Sequence, residues 1–254
     1  MSGYSFIIED MIWSFSRLSS FHQCPYSWKL AYIDCIKGEN NFFAEYGTLI
    51  HEILEKYAKG EVEIYELSSI FQESFKKAIP HKAPPNKYVK LDQTYLASGI
   101  AYFEGFEGFG DFEIIAVEKE INFKINNLNI KGFIDLLVKD KEGNLHIIDH
   151  KSSDPKSVKS AKAKEYWKQM TLYAMAIYDE YGIYPKQLHL NAFRKQQWFT
   201  IDFDEAQVDV VKNWVIDTAD KIMIEEKFAP LSDGYFCNFL CNFRNKICEY
   251  KEKL

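Results

Sequence analysis

The chain lacks any apolar run approaching the length of a membrane span, so no stretch of its 254 residues reads as a transmembrane helix. Cysteine is scarce. There are five, an odd number, with no N-terminal signal sequence; this argues against a secreted disulfide scaffold and for reduced thiols in a cytoplasm. Internal repeats and long low-complexity tracts are missing, as one globular domain requires. An excess of positive charge is also missing, and a net charge of −6 does not advertise a nucleic-acid binder. What is present is material for a core: 47% of residues are hydrophobic and 16% aromatic, enough for a single domain with helical additions. The clear break in periodicity is AIPHKAPPNKYVK, residues 78–90, whose three prolines predict an exposed loop between two helices.

The most informative segment is GFIDLLVKDKEGNLHIIDHK, residues 132–151. Two apolar strand-like runs flank a turn, each run delivers an aspartate, and a lysine follows the second aspartate by two. Side chains alternate along a strand, so Asp149 and Lys151 share one face while Ile148 and His150 take the other. A turn centred on Glu142 sets Asp135 opposite Asp149, with Cβ atoms about 5 Å apart. Such a cluster is costly inside a sheet unless a cation binds it, and hard oxygen ligands suit Mg²⁺ or Mn²⁺. A surface hairpin with its charges in water satisfies the same pattern. Upstream, AVEKEINFKI precedes Asn126-Asn127, a pair suited to a two-residue turn. Carrying that ladder back brings Glu118 opposite Asp135, with Glu120 as the alternative if the turn slips.

Two helices complete the pattern. NNFFAEYGTLIHEILEKYAKGE has apolar residues at helical spacing and places His51 four residues after Gly47, on the same side, where glycine permits close approach of a backbone or ligand. AKAKEYWKQMTLYAMAIYDEYG is amphipathic and carries Gln169 and Tyr173 at i and i+4. A hydrogen-bonded boundary histidine and a plain helix–sheet interface are the simpler readings of these two features. The predicted order is helices to about residue 105, then strands near 112–118, 119–125, 130–138 and 145–151. A helix near 160–181, strands near 186–193 and 196–202, a helix at 204–226 and a cysteine-bearing tail follow.

In sequence order, Gly47-x-x-x-His51, Gly132-Phe-Ile-Asp135, Asp149-His-Lys151 and Gln169-x-x-x-Tyr173 resemble the RecB-like nucleases of the PD-(D/E)XK superfamily, among them CRISPR-adaptation and phage exonucleases. SFSRLSSFHQCPYSWKLAYI resembles their entry helices, so the likeness runs from about Ser14 to Cys248. It implies an α/β restriction-endonuclease-like core, a central mixed sheet flanked by helices, inside one domain spanning 1–254. Residues 1–105 would be its helical N-terminal part, 106–203 the nuclease core, and 204–254 a C-terminal helix with the cysteine segment. Four cysteines, Cys24, Cys237, Cys241 and Cys248, fall where the iron–sulfur members keep theirs and imply a [4Fe-4S] cluster. The spacing departs from that group's C-x2-C-x5-C: here it is Cys237-x3-Cys241-x6-Cys248, and a four-thiolate Zn²⁺ site is the alternative. Cys35 fits neither.

The resemblance implies metal-assisted hydrolysis of DNA, with DNA ends or single strands as substrate and no membrane partner. His51, Asp135, Asp149 and the backbone carbonyl of His150 would hold Mg²⁺ or Mn²⁺. Lys151 would orient water or stabilise the transition state, Glu118 would complete a second metal site or hold a water, and Gln169 and Tyr173 would position the phosphate or Lys151. Lys156, Lys159, Lys162, Lys164 and Lys168, opposed by Asp154 and Glu165, follow the catalytic strand where a phosphate backbone would pass; a solvated helix start gives the same pattern. A sequence- or structure-specific endonuclease and a noncatalytic DNA-binding scaffold are the competing functions.

Overall fold

The computed structural model describes residues 5–153, 155–231, 234–244 and 247–250; Asp154 lies outside the described residues. In chain order the helices are α1 (Ser5–Glu9), α2 (Phe15–Gln23), α3 (Pro25–Tyr32), α4 (Phe42–Ala58), α5 (Leu67–Ala78), α6 (Leu91–Glu104), α7 (Ala161–Tyr181) and α8 (Ala206–Ile224). The strands are β1 (Glu113–Ile125), β2 (Leu128–Lys139), β3 (Leu145–Lys151), β4 (Gln187–Ala192) and β5 (Gln197–Asp202). They form one mixed sheet in the order β1-β2-β3-β4-β5. β3 and β4 run parallel, with α7 between them in the chain, and the β2–β3 and β4–β5 pairs are antiparallel. Two compact units result: Phe42–Ile121 with Phe133–Glu205, and Met1–Asn41 with Asn122–Gly132 and Ala206–Leu254.

The larger unit holds the core that fixes the sheet. Leu136, Val138 and Ile148 on one sheet face bury against Tyr46, Ile50 and Ile53 of α4, Phe71 of α5 and Tyr102 and Phe103 of α6. Gly99 of α6 makes this possible, since a Cβ there would stand 2.2 Å from the ring of the fully buried Phe71. Alternation along β3 sends Asp149 and Lys151 to the other face, and α7 packs on β3 and β4. That helix begins at Ser160, whose hydroxyl caps the Ala163 amide, and ends at Gly182 in the left-handed conformation. In the smaller unit Phe21 and Phe228 close around Trp28, the latter ring stacked on it at 5.7 Å.

The 140–144 turn is centred as the sequence predicts. Leu136 faces Ile148 and Lys139 faces Leu145, a register whose next position pairs Asp135 with Asp149. Residues 78–90 do join two helices. One expectation is corrected: the strands near 112–118 and 119–125 are a single strand, β1. Glu118 within it adopts φ +47°, a left-handed residue that kinks the chain without ending it.

A buried polar chain crosses the sheet away from the acidic face. Asp140 accepts from His146 Nε2 at 3.1 Å, His146 Nδ1 meets His189 Nε2 at 3.1 Å, and His189 Nδ1 meets the Thr200 hydroxyl at 2.9 Å. Two neutral imidazoles satisfy every link. Burial, helped by His146, pushes the His189 pKa down to about 4. The folded state therefore refuses a proton that the unfolded chain accepts near pH 6.5, so this contribution to stability is complete above that pH and is lost as pH falls toward 4. The melting temperature should fall between pH 7 and pH 5 by the equivalent of roughly 1–2 kcal/mol, and His189→Gln should flatten that slope. A variant whose slope matches the wild type would refute the assignment.

Candidate active site

The site is built where His51 of α4 meets β2 and β3. His51 donates from Nε2 to the His150 carbonyl at 2.9 Å, which leaves the Nδ1 lone pair 3.6 Å from Asp135 Oδ2. That same Oδ2 accepts the His150 amide at 2.6 Å, so β3 holds the carboxylate of β2 from its backbone. Asp149 is 1% exposed. Its Oδ1 takes a hydrogen bond from Lys151 Nζ at 2.9 Å, while Oδ2, 2.7 Å from the same nitrogen, is buried with no aligned donor.

Electrostatics record the crowding. Burial and the Asp135 charge lift Asp149 above the usual carboxylate range despite Lys151. Burial pushes Asp135 up too, but His51, Lys151 and the His150 amide outweigh it and hold it low. Glu118 rises to about 7, from burial first and then from Asp135 and Glu55. Lys151 is carried above its ordinary value, the attraction of Asp149 and Asp135 exceeding the effect of burial.

His51, Glu118 and Asp135 each present one ligand atom within 4.8 Å of the others, the one such set among the described residues. A divalent cation fits here. Carboxylate oxygens with one imidazole are a hard donor set, their atoms converge within 4.8 Å of one another, and the buried Asp149 carboxylate crowds Asp135 beside them. Glu120, the alternative to Glu118, is exposed and stays out of the set.

Other positions are supports. Gln169 Nε2 donates to the Tyr173 hydroxyl at 2.6 Å, and Tyr173 is raised by burial and then by Asp149. His150 stacks on Phe109, and its Nδ1 meets Asn191, which also donates to Tyr102 at 2.7 Å. Gly47 faces Ser152, and an added Cβ would meet that side chain at an ordinary 3.6 Å, so the glycine is not sterically required. Lys156 and Lys159 lie in the β3–α7 loop, and Lys162, Lys164 and Lys168 on α7. Lys162 is one turn before Tyr166 on the Gln169–Tyr173 side of the helix, while Lys168 pairs with Glu165 at 2.8 Å.

Sequence reasoning missed three residues. Glu55 follows His51 at i+4 on α4, its ion-pair partner Lys59 stands just past the end of that helix, and both act on Glu118. Tyr166 bonds Ser153 and lies under Lys151, its ring centre 5.5 Å from Nζ. Helical spacing from His51 and from Gln169 was the available signal.

In the smaller unit Cys24, Cys237, Cys241 and Cys248 line one small cavity with Leu30, Phe236 and Phe243, and Cys35 is exposed elsewhere. Burial and the three neighbouring thiols raise Cys241.

The mixed sheet thus gathers two aspartates and a lysine beside a histidine. The chain belongs to the PD-(D/E)XK nuclease superfamily, whose family model matches residues 12–251. Among solved structures, a candidate exonuclease from Eubacterium rectale shares the fold, with a TM-score of 0.53 at 12% identity over 99% of this chain and 91% of that one. The protein SSO0001 aligns at a TM-score of 0.36 and 17% identity, over 80% of this chain and 95% of its own. No curated protein matches. Among the described residues, no helix is long and apolar enough to cross a membrane.

Glu118 thus combines a left-handed backbone with a crowded carboxylate, both costly to folding. Glu118→Gly should raise stability by on the order of 1 kcal/mol, read as a higher melting temperature, and should weaken Mn²⁺ binding measured by calorimetry. A lower melting temperature with unchanged Mn²⁺ affinity would show that the residue carries neither strain nor ligand.

Proposed function

We propose that the protein is a Mg²⁺- or Mn²⁺-dependent deoxyribonuclease that works on DNA ends or single strands, in a cytoplasm, as one nuclease domain. The observation carrying this reading is the junction of Asp135, Asp149 and Lys151 on adjacent strands with His51 and Glu118 turned toward them. His51, Glu118, Asp135 and Asp149, with the second lone pair of the His150 carbonyl, would hold the cation. When bound, that cation neutralises charge on the phosphoryl oxygens and makes water a better nucleophile. Lys151, held between Asp149 and the Tyr166 ring, presents N–H donors to the scissile phosphate and to the attacking water. Gln169 and Tyr173 hold the face of α7 against Asp149, and the buried Phe109–His150–Asn191 stack keeps the β3 backbone still while its carbonyl and amide position His51 and Asp135.

End-labelled single-stranded, blunt duplex and closed circular DNA with Mn²⁺ tests this. Wild type should degrade linear but not circular DNA. Lys151→Ala should cut at least about a hundredfold more slowly while calorimetry still detects Mn²⁺ binding, and Asp135→Asn should lose both. Absence of cleavage by folded, Mn²⁺-binding wild type would favour the noncatalytic scaffold, and cutting of circles would favour an endonuclease.

The four-cysteine cavity supports a [4Fe-4S] cluster. A four-thiolate Zn²⁺ site is the alternative occupant of the same cavity. The cluster's part is structural: it would tie the α2–α3 junction to the C-terminal segment across more than two hundred residues, coupling cluster binding to folding. Protein purified without oxygen should carry four irons and four sulfides, and Cys241→Ser should lose both and melt lower, while Cys35→Ser should be neutral. One zinc and no iron would decide for the tetrahedral site.

A further inference from the structure

The segment between α5 and α6 departs from the rest of the chain. From Lys76, in the last turn of α5, to Lys90 the chain holds Lys76, Lys77, Lys82, Lys87, Lys90 and His81 and no acidic residue, in a protein whose net charge is −6. These five lysines are exposed. Beside them opens a cleft of about 800 Å³, lined by Lys76, Lys82, Lys90, Pro84 and Pro85 and, as its one carboxylate, Asp92. The N-terminus of α6 enters the same cleft. Its N-cap, Lys90, makes no side-chain cap, so the first-turn amides add positive potential where the lysines already supply it.

The segment is held in shape. His81 is clamped to the buried Glu45 of α4, its Nδ1 2.5 Å from Oε1 and its amide 3.2 Å from Oε2. Asn86 Oδ1 accepts from the amides of Tyr88 and Val89 at 2.9 and 3.2 Å and fixes the turn that carries Tyr88 outward. Tyr88 is 78% exposed, and Lys87 Nζ sits 4.7 Å from its ring centre. A large aromatic ring this exposed, on a constrained turn, with a cation over one face, leaves the other face for a flat partner.

We propose that residues 76–90 are a binding site for single-stranded nucleic acid, with Tyr88 stacking a base and Lys82, Lys87 and Lys90 holding successive phosphates. Alternating cations and an exposed aromatic ring on a narrow loop match an unpaired strand, which offers both a phosphate and an open base face; a duplex hides its base faces. Glu45, the anchor of the loop, lies six residues before His51 on α4, about 9 Å along the axis, or roughly three nucleotides of a stacked strand. The inference rests on the nuclease reading and extends it by naming where a strand is gripped before it reaches the acidic cluster.

The test measures anisotropy of labelled oligo-dT, oligo-U and blunt duplex with the full chain in EDTA, where no cutting occurs. Tyr88→Ala should weaken oligo-dT binding by at least about fivefold, and Tyr88→Phe should bind like wild type. Lys82→Gln/Lys87→Gln/Lys90→Gln should reduce the salt slope of oligo-dT binding by about two. Equal losses on oligo-U would extend the site to RNA, since the chemistry shared is phosphate and base. Unchanged affinity and slope in both variants, or equal losses on the duplex, would overturn the proposal, provided melting curves show the variants folded. Since binding is read without metal, a protein that cuts nothing still tests the loop, and variants that bind normally leave the nuclease reading as it was.

Discussion

Carboxylates brought together at one point of a sheet repel one another, and much of the larger unit is arranged to contain that repulsion. Asp135 is held by a backbone amide of the neighbouring strand, and Asp149 by the lysine two residues along its own. Each device neutralises one carboxylate locally and leaves something over. Glu118 is lifted to about 7 even with Lys59 nearby, and Asp149 keeps a buried oxygen without an aligned donor. A cation relieves all of these at once. In water the same cluster would cost little, but in a partly dehydrated sheet the unpaired remainder is expensive, and folding tolerates it because the surrounding core is rigid.

That rigidity converges on His150. Its amide binds Asp135, its carbonyl binds His51, and its ring is stacked on Phe109 and bonded to Asn191. One residue thus fixes the tautomer of the histidine and the rotamer of an aspartate, while its ring is sunk in the hydrophobic core. Burial pushes this imidazole down to about 3, so it stays neutral and contributes packing and hydrogen bonds, not charge. The sequence reading gave His150 a backbone role, and in the fold its carbonyl and amide do the positioning.

Much of this was legible from period and spacing. The turn at 140–144 follows from Asp140, Gly143 and Asn144, and the Asp135–Asp149 register follows from the turn. His51 and Tyr173 were readable because helical spacing aligned them with apolar stripes. Glu118 was reached by register, yet the break drawn there was an illusion: a non-glycine residue at positive φ leaves no compositional trace, so one strand read as two. Glu55, Lys59 and Tyr166 were missed for another reason. Charged and aromatic residues on helices are usually solvated or in the core, and only tertiary placement showed these turned toward the acidic cluster. The common cavity of the four cysteines, by contrast, follows from no local rule, since α3 and the C-terminal segment meet only after the chain has folded.

Charge raises a last physical point, because a chain of net charge −6 must still approach a polyanion if it cuts DNA. At physiological salt the screening length is about 8 Å, so a phosphate responds to the charges it passes and hardly at all to the distant remainder. What matters is whether positive segments flank the acidic cluster within a few such lengths. Residues 76–90 are anchored to the start of α4, and Lys156, Lys159 and Lys162 follow directly after β3, the two elements that also deliver His51 and Lys151. The elements that build the chemistry therefore also carry the cations beside it. On the function proposed above, an acidic remainder would discourage indiscriminate binding along DNA and leave productive contact to those two segments.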